Sequence, residues 1–285
     1  MARVMGLALS PQDRALVAAL NITSYLQVVS VVARTRAAGR LVVAAKVAEV
    51  LEDYVVSRGA SAFRAPFYCL ETASPVRGTH HVGSFVPEAV DGARPIVYFG
   101  MSQEFARGAM QADVTSDHEV LGRLFGYPRC CTEAYVSTSS PERLDHLPST
   151  IAGTGPFPAA MNPAIPFVYD LPHLLFHFPC SPDCRESLAL LDERERHLAR
   201  FSDRLPQWSQ IGRGIALYGP SVGIALVTEA ECLERATYRV VTALAAGESP
   251  SPVRAGVTLR IAGPHEFEVD GRPCGGPEAF VAFFE

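Results

Sequence analysis

Residues 214–228, GIALYGPSVGIALVT, hold two aliphatic runs of strand length parted by a Gly-Pro-Ser turn. Short runs rich in valine, isoleucine and leucine, bounded by turn residues, read as strands. The same grammar continues in TYRVVTALA (237–245), GVTLRIAG (256–263) and HEFEVDG (265–271). The C-terminal part is therefore expected to be an antiparallel sheet.

Upstream the pattern changes period. Residues 181–205, SPDCRESLALLDERERHLARFSDRL, place Leu188, Leu191, His197 or Leu198 and Phe201 near one face and charges on the other, which predicts an amphipathic helix. Residues 11–58 carry helical apolar spacing, for example Leu41, Val42, Ala45, Ala48 and Leu51, with Gly39 and Gly59 as punctuation. RPIVYFGMS (94–102) reads as a buried strand, and TSDHEVLGRLF (115–125) as a helix stopped by Gly126. Residues 137–167 contain six prolines and almost no periodicity. A loop of that length is either a linker or a functional lid. The fold class predicted is α+β: a helical N-terminal and central part, 1–205, carrying a cysteine metal site, and an antiparallel region, 206–285, packed on it as one unit.

Composition sets the outer bounds. In 285 residues, 48% are hydrophobic and 19% charged, the balance of a folding globular chain. A net charge of -5 gives no general attraction to nucleic acid, whose binding needs a basic surface. The apolar stretch 15–33 is interrupted by Asn21, Thr23, Ser24, Gln27 and Ser30, so a core helix is expected there instead of a membrane span. No signal peptide is read at the N-terminus, which points to the cytoplasm. Arginine supplies nearly all the positive charge in an alanine-rich chain, the mark of a GC-rich bacterial genome. In the cytoplasm thiols stay reduced, and clustered cysteines are ligands or reactive groups before they are disulfides.

Two cysteine elements share one grammar. GYPRCCTEAY (126–135) places Cys130 and Cys131 just after Pro128. HLLFHFPCSPDC (173–184) places Cys184 two residues after Pro182, with Cys180 just before Ser181. Ser181 and Pro182 suit a helix start, as does Pro128, so both elements are expected at helix N-termini, where backbone N–H groups favour thiolate. Converging termini would gather Cys130, Cys131, Cys180 and Cys184 into one site. Zinc fingers separate paired ligands by two to four residues, whereas a cubane offers a separate iron to each of two neighbouring thiolates. The adjacent pair tilts the expectation toward a 4Fe-4S cluster, with zinc as the alternative. Cys69, Cys232 and Cys274 are expected in the core.

Other residues near these elements were candidates for chemistry. His177 is a proton donor or ligand, Arg129 a carboxylate or cluster contact, and His118 an acid–base group on the preceding helix. Arg123 and Arg185 extend a positive rim. His173 reads as a satisfied loop histidine, and His80 and His81, adjacent in a polar loop, point apart. P-loop, zincin, nucleophile-elbow and dinucleotide-binding motifs are absent, as is the triple-cysteine pattern of radical enzymes.

LFGYPRCCTEAYV with HFPCSPDCRESLAL resembles a prokaryotic family marked by Gly-Tyr-Pro-x-Cys-Cys and a later Pro-Cys-Ser-x-x-Cys element. The resemblance covers about residues 115–200 and implies that Gly126, Tyr127, Pro128, Cys130, Cys131, Pro179, Cys180, Ser181 and Cys184 act as one unit. It implies no activity. The adjacent cysteines are also loosely similar to the heterodisulfide-reductase motif, but the glycine and C-x-x-C that follow there are missing. From the residues, the expected function is an iron–sulfur enzyme of lyase or desulfurising type acting on a small polar metabolite, with a possible electron-transfer partner. The alternatives are a zinc-stapled binding module and a metal-free Cys/His thiol enzyme.

Overall fold

The computed structural model describes residues 9–73, 81–138, 147–199, 207–246 and 251–285. The fold is mixed α+β, with two antiparallel sheets. Contacts group the chain into two compact units.

The first unit comprises Met1–Thr72, His81–Ser137 and Arg196–Leu205. It opens with α1 (Pro11–Ala19) and α2 (Ile22–Val32), capped by Ser10 and Asn21 through side-chain acceptors, as N-cap chemistry requires. The expected all-helical opening then fails. Residues Ala38–Val42 form strand β1 before helix α3 (Ala45–Ser57), and a four-stranded sheet follows in the order β1-β4-β2-β3. Its other strands are β2 (Ser61–Ala73), β3 (His81–Val86) and β4 (Ala93–Gly100). Strand is therefore not confined to the C-terminal part. The physical reason lies at Gly39, where an added Cβ would fall 2.7 Å from the Phe99 ring. That close approach lets β1 pair with β4, from Ala38 opposite Gly100 to Val42 opposite Ile96. The apolar face of the sheet, with Ala38, Cys69, Ile96 and Tyr98, packs against Ala109 of α4 (Gln103–Val114) and against Phe125.

The second unit comprises Ala73–His80, Thr138–Glu195 and Pro206–Glu285. Its seven-stranded sheet has the order β10-β9-β8-β7-β6-β5-β11, with β5 (Gly214–Gly219), β6 (Gly223–Glu234), β7 (Thr237–Ala246), β8 (Thr258–Gly263), β9 (Glu266–Val269), β10 (Arg272–Pro273) and β11 (Phe280–Phe284). The predicted antiparallel sheet is a meander from β5 to β10, with β11 returning to pair with β5 at the other edge. Alternate residues such as Ile215, Leu217, Ala225, Val227, Leu259 and Phe267 share one core, as a period of two demands. On the opposite face Tyr218 stacks on Phe280 at 5.2 Å.

The proline-rich segment is more structured than its lack of periodicity suggested. Residues 139–146 lie outside the described residues. Beyond them come two 3₁₀ turns, Pro148–Thr150 and Ala159–Met161, and the short helix α7 (Ile165–Val168). Between the turns the backbone bonds to β11: Phe157 N–H donates to Phe283 O, and Glu285 N–H to Phe157 O, both at 2.9 Å. Asn162, 2% exposed, donates to Gly212 O at 2.6 Å and accepts from Ala164 N–H at 3.0 Å. Amide side chains here do the work that a regular element's ladder would do.

The amphipathic helix forms as α8 (Arg185–Ala199), burying Leu191 and Leu198. Phe201 falls outside the described residues. Glu195 on α8 accepts the Trp208 N–H at 2.6 Å at the start of the short helix α9 (Trp208–Ile211). Burial raises the Glu195 carboxyl above its ordinary range; the Trp208 N–H opposes the shift and Asp192 adds to it. A raised folded-state value means that ionising Glu195 disfavours the fold, an effect present at neutral pH and relieved as pH falls through the carboxylate range. Glu195→Gln keeps an acceptor for Trp208 and removes the charge. Its urea midpoint should exceed the parent's at pH 7.5, with the difference gone by about pH 4; a lower midpoint at pH 7.5 would contradict the burial argument.

Candidate metal centre

The first cysteine element is set by helix-terminus geometry. Helix α5 (His118–Leu124) starts at Asp117, whose side chain accepts the Val120 N–H at 3.0 Å. It stops in a Schellman arrangement: Tyr127 N–H donates to Gly122 O at 2.9 Å, and Gly126 N–H to Arg123 O at 3.1 Å. Gly126 has φ +65°, a left-handed conformation that glycine tolerates without cost to Cβ. Pro128 then begins the next helix. Its carbonyl accepts the Thr132 N–H at 3.0 Å, so Pro128 is the N-cap of α6 (Arg129–Thr138) and Cys130 and Cys131 lie in the first turn, as predicted.

Two contacts hold this start in place. Gly122 of α5 meets Thr132 of α6 so closely that an added Cβ would lie 2.5 Å from Thr132 Oγ1 and 2.8 Å from its methyl. Arg36 fills the space behind the turn, 4% exposed, with its guanidinium 5.4 Å from the Phe125 ring centre and 5.8 Å from that of Tyr127. Burial pulls its pKa down, and Tyr127 opposes the shift. Neither contact was read from the sequence. A lone arginine nearly a hundred residues upstream of the motif carries no local signal that it ends beneath an aromatic pair.

The second element departs from its expected form. Residues 170–184 contain no helix, so His173 and His177 do not share a helix face. The helix begins at Arg185, three residues beyond Pro182. Ser181 instead opens a turn in which Cys184 N–H donates to Ser181 O at 3.1 Å, while the Ser181 hydroxyl donates to Asp183 Oδ1 at 2.5 Å. Cys184 O accepts the Leu188 N–H at 2.9 Å, which makes Cys184 the N-cap residue and not a member of the first turn. Asp183 competes for the hydroxyl that was expected to cap the helix.

The sulfur atoms of Cys130, Cys131, Cys180 and Cys184 all lie within 4.8 Å of one another. Cys130 Sγ and Cys131 Sγ are 3.9 Å apart, and Cys184 Sγ lies 3.7 Å from Glu186 Oε2. Cys131 and Cys184 are buried, whereas Cys130 and Cys180 are half-buried. All four are thiols with no disulfide, and the group can bind a metal ion. Of the remaining cysteines, Cys69 and Cys274 are buried as expected. Cys232 is exposed on β6, its strand position facing solvent, and does not belong to the core.

The other candidates are placed as follows. His177 Nε2 is 2.9 Å from the hydroxyl of Ser187, a fully buried residue in the first turn of α8, so it ties the segment before Cys180 to that helix. Arg129 is 91% exposed in its side chain and bonds Glu133 at 2.6 Å along α6. His118 stands edge-on to Tyr135, ring centres 5.3 Å apart. His173 stands edge-on to Phe167 at 4.8 Å. Arg123 and Arg185 are exposed. His81 begins β3, and His80 lies outside the described residues. Among the described residues no helix is long and apolar enough to cross a membrane.

Compared with protein-family models, curated proteins and solved structures, the chain matches none.

The Gly122–Thr132 contact makes the start of α6 sensitive to one methyl group. Gly122→Ala should destabilise the protein by about 1–3 kcal/mol, the usual cost of overpacking. Thr132→Ala in the same chain removes the atoms that the new methyl meets first and should recover at least half of the loss. Urea unfolding of the two single variants and the double variant measures that coupling, and strictly additive effects would show that the helices do not bear on each other there.

Proposed function

We propose that Cys130, Cys131, Cys180 and Cys184 hold a single metal ion, zinc in the first place, and that the protein is a metal-stapled binding module. The observation that carries this reading is the sulfur spacing. Four thiolates about 2.3 Å from one tetrahedral ion lie about 3.8 Å from each other. The adjacent pair at 3.9 Å and the whole group within 4.8 Å fit that scale. A cubane puts each thiolate on a different iron and spreads the sulfurs wider.

Four thiolates around one ion leave it no open position. Such a centre stabilises a fold and does not activate a substrate, because catalytic zinc keeps one coordination site for water or substrate. When bound, the ion would hold the first turn of α6 together with the Ser181–Cys184 turn. The chain's own part is to present the sulfurs. The α6 N-terminus places the positive end of its dipole at the cysteines of its first turn. His177 positions the approach to Cys180 through Ser187. Exposed Arg129, already bonded to Glu133, offers positive charge at the rim.

A second reading is favoured by one feature, the direct adjacency of Cys130 and Cys131, which suits two irons of a cluster. It would make the protein an iron–sulfur enzyme of lyase or desulfurising type acting on a small polar metabolite, with His177, Arg129 and His118 as candidate proton and carboxylate handlers.

Elemental analysis of anaerobically purified protein separates the readings. One zinc per chain, no acid-labile sulfide and no visible absorption are expected, and cobalt exchanged into the site should give the intense visible bands of a tetrahedral thiolate complex. Each of Cys130→Ser, Cys131→Ser, Cys180→Ser and Cys184→Ser should lose metal and folded yield together, since metal affinity is folding free energy. His177→Ala should keep its metal. Iron with stoichiometric sulfide would replace the first reading by the second, and metal-free protein with thiol-dependent activity would overturn both.

A further inference from the structure

The second unit contains a cavity of about 110 Å³, walled by residues from 147–191 and by Trp208. Phe167, Phe178 and Trp208 supply aromatic walls, and Leu147, Ile151 and Leu174 supply aliphatic ones. Its polar side chains are two imidazoles, His173 and His177, one amide, Asn162, one hydroxyl, Thr150, and the indole N–H of Trp208. The amide is committed to Gly212 O and Ala164 N–H, and the hydroxyl donates to Leu147 O at 2.9 Å. Among the described residues the lining contains no carboxylate, arginine or lysine.

We propose that this cavity is a binding site for a small neutral molecule of single-ring size, aromatic and carrying at most one hydroxyl, for which phenol is the model. Three features select that class. The volume suits one ring: an apolar cavity on the order of 150 Å³ lined by Leu, Ile and Phe binds benzene. The walls offer ring edges and faces, and aromatic pairs favour edge-to-face and offset geometries of the kind His173 already makes with Phe167. The described lining offers no permanent counter-charge, its imidazoles being uncharged when deprotonated, so an ionised ligand would lose its hydration without a fixed partner.

This site goes beyond the metal centre: none of the four clustered cysteines is among its described lining residues, and His177 is the residue common to both. The three aromatic walls come from separate stretches: Phe167 from α7, Phe178 from the segment before Cys180, and Trp208 from α9.

Trp208 is the chain's one tryptophan, so its fluorescence reports occupancy directly. Titration of the metal-replete protein with phenol and with toluene should give saturable changes in emission, and benzoate should bind at least ~10-fold more weakly than phenol, the tenfold that 1.4 kcal/mol of lost affinity represents. Two substitutions of lining residues add volume at the cavity wall, Ala160→Leu and, at half-buried Leu175, Leu175→Phe. Either one, with far-UV circular dichroism unchanged, should raise the apparent Kd for phenol at least ~10-fold. The proposal is overturned if phenol and toluene cause only linear, non-saturating quenching of the parent, if the two folded variants titrate like the parent, or if benzoate binds as tightly as phenol.

Discussion

Four sulfurs within 4.8 Å of one another impose an electrostatic condition on everything around them. As thiolates, each pair would repel by about 4 kcal/mol at an effective dielectric of about 20. The six pairs together exceed ~20 kcal/mol, more than the ~5–15 kcal/mol by which a domain is stable. The group can therefore exist as protonated thiols or around a cation, and not as four bare thiolates. Every metal-binding event at such a site is also a release of protons, which ties the affinity of the centre to pH. Glu186, its carboxylate 3.7 Å from Cys184 Sγ, suits the protonated form, in which the thiol donates to it. The helix N-terminus at α6 suits the ionised form. One site therefore holds a partner suited to each state.

The backbone that presents these sulfurs is over-determined on one side and economical on the other. Around Cys130 and Cys131, a left-handed glycine, a Schellman pair of hydrogen bonds, a proline cap and a helix crossing with no room for a methyl group all fix the same turn. Arg36 packs against that turn from behind, where Cβ of any residue replacing Gly126 would come within 3.3 Å of its side chain. Around Cys180 and Cys184 the means are lighter: one four-residue turn, the Ser181–Asp183 hydrogen bond, and His177 held by Ser187. Sulfurs supplied from a helix start and from a turn differ in how far they can adjust, and a tetrahedral ion bound there would constrain the angles that the turn must reach.

The legible parts of this chain were those in which local chemistry decides structure. The meander from β5 to β9 is written in aliphatic runs and glycine turns, and the first cysteine helix in Gly126, Tyr127 and Pro128. The four cysteines could be grouped in advance because two proline-to-cysteine spacings repeat. Strand β1 was hidden because Leu41, Val42, Ala45, Ala48 and Leu51 mimic a helix stripe across a strand–helix boundary, and only the long-range fit of Gly39 under Phe99 reveals it. Strand β2 carries Pro66 within a register shift between Arg64 and Tyr68, where a missing N–H is tolerated but the strand pattern is broken. The start of α8 was misplaced because Ser181 had two partners open to it, the backbone of a helix and the carboxylate of Asp183. Tertiary context chose the second.

The segment from 147 to 182 shows why aperiodic sequence need not mean loose structure. Eight of its residues are proline. Each removes an N–H that burial would have to satisfy and restricts the unfolded chain, so the ordering cost per residue falls. What remains to be paired is small enough for a few side chains: Asn162 bridging Gly212 and Ala164, and Arg194 donating to Leu174 O. A chain so relieved of donors can wall a cavity with irregular backbone and still leave its inner surface apolar. Regular elements could not do this as readily, because a helix or strand fixes side-chain direction at every position, whereas the non-helical stretch 170–184, with prolines at 172, 179 and 182, turns His173 and Phe178 toward the space that Phe167 of α7 also lines. The same prolines bracket Cys180 and precede Cys184, so the composition that shapes the cavity also limits how far those two sulfurs can move.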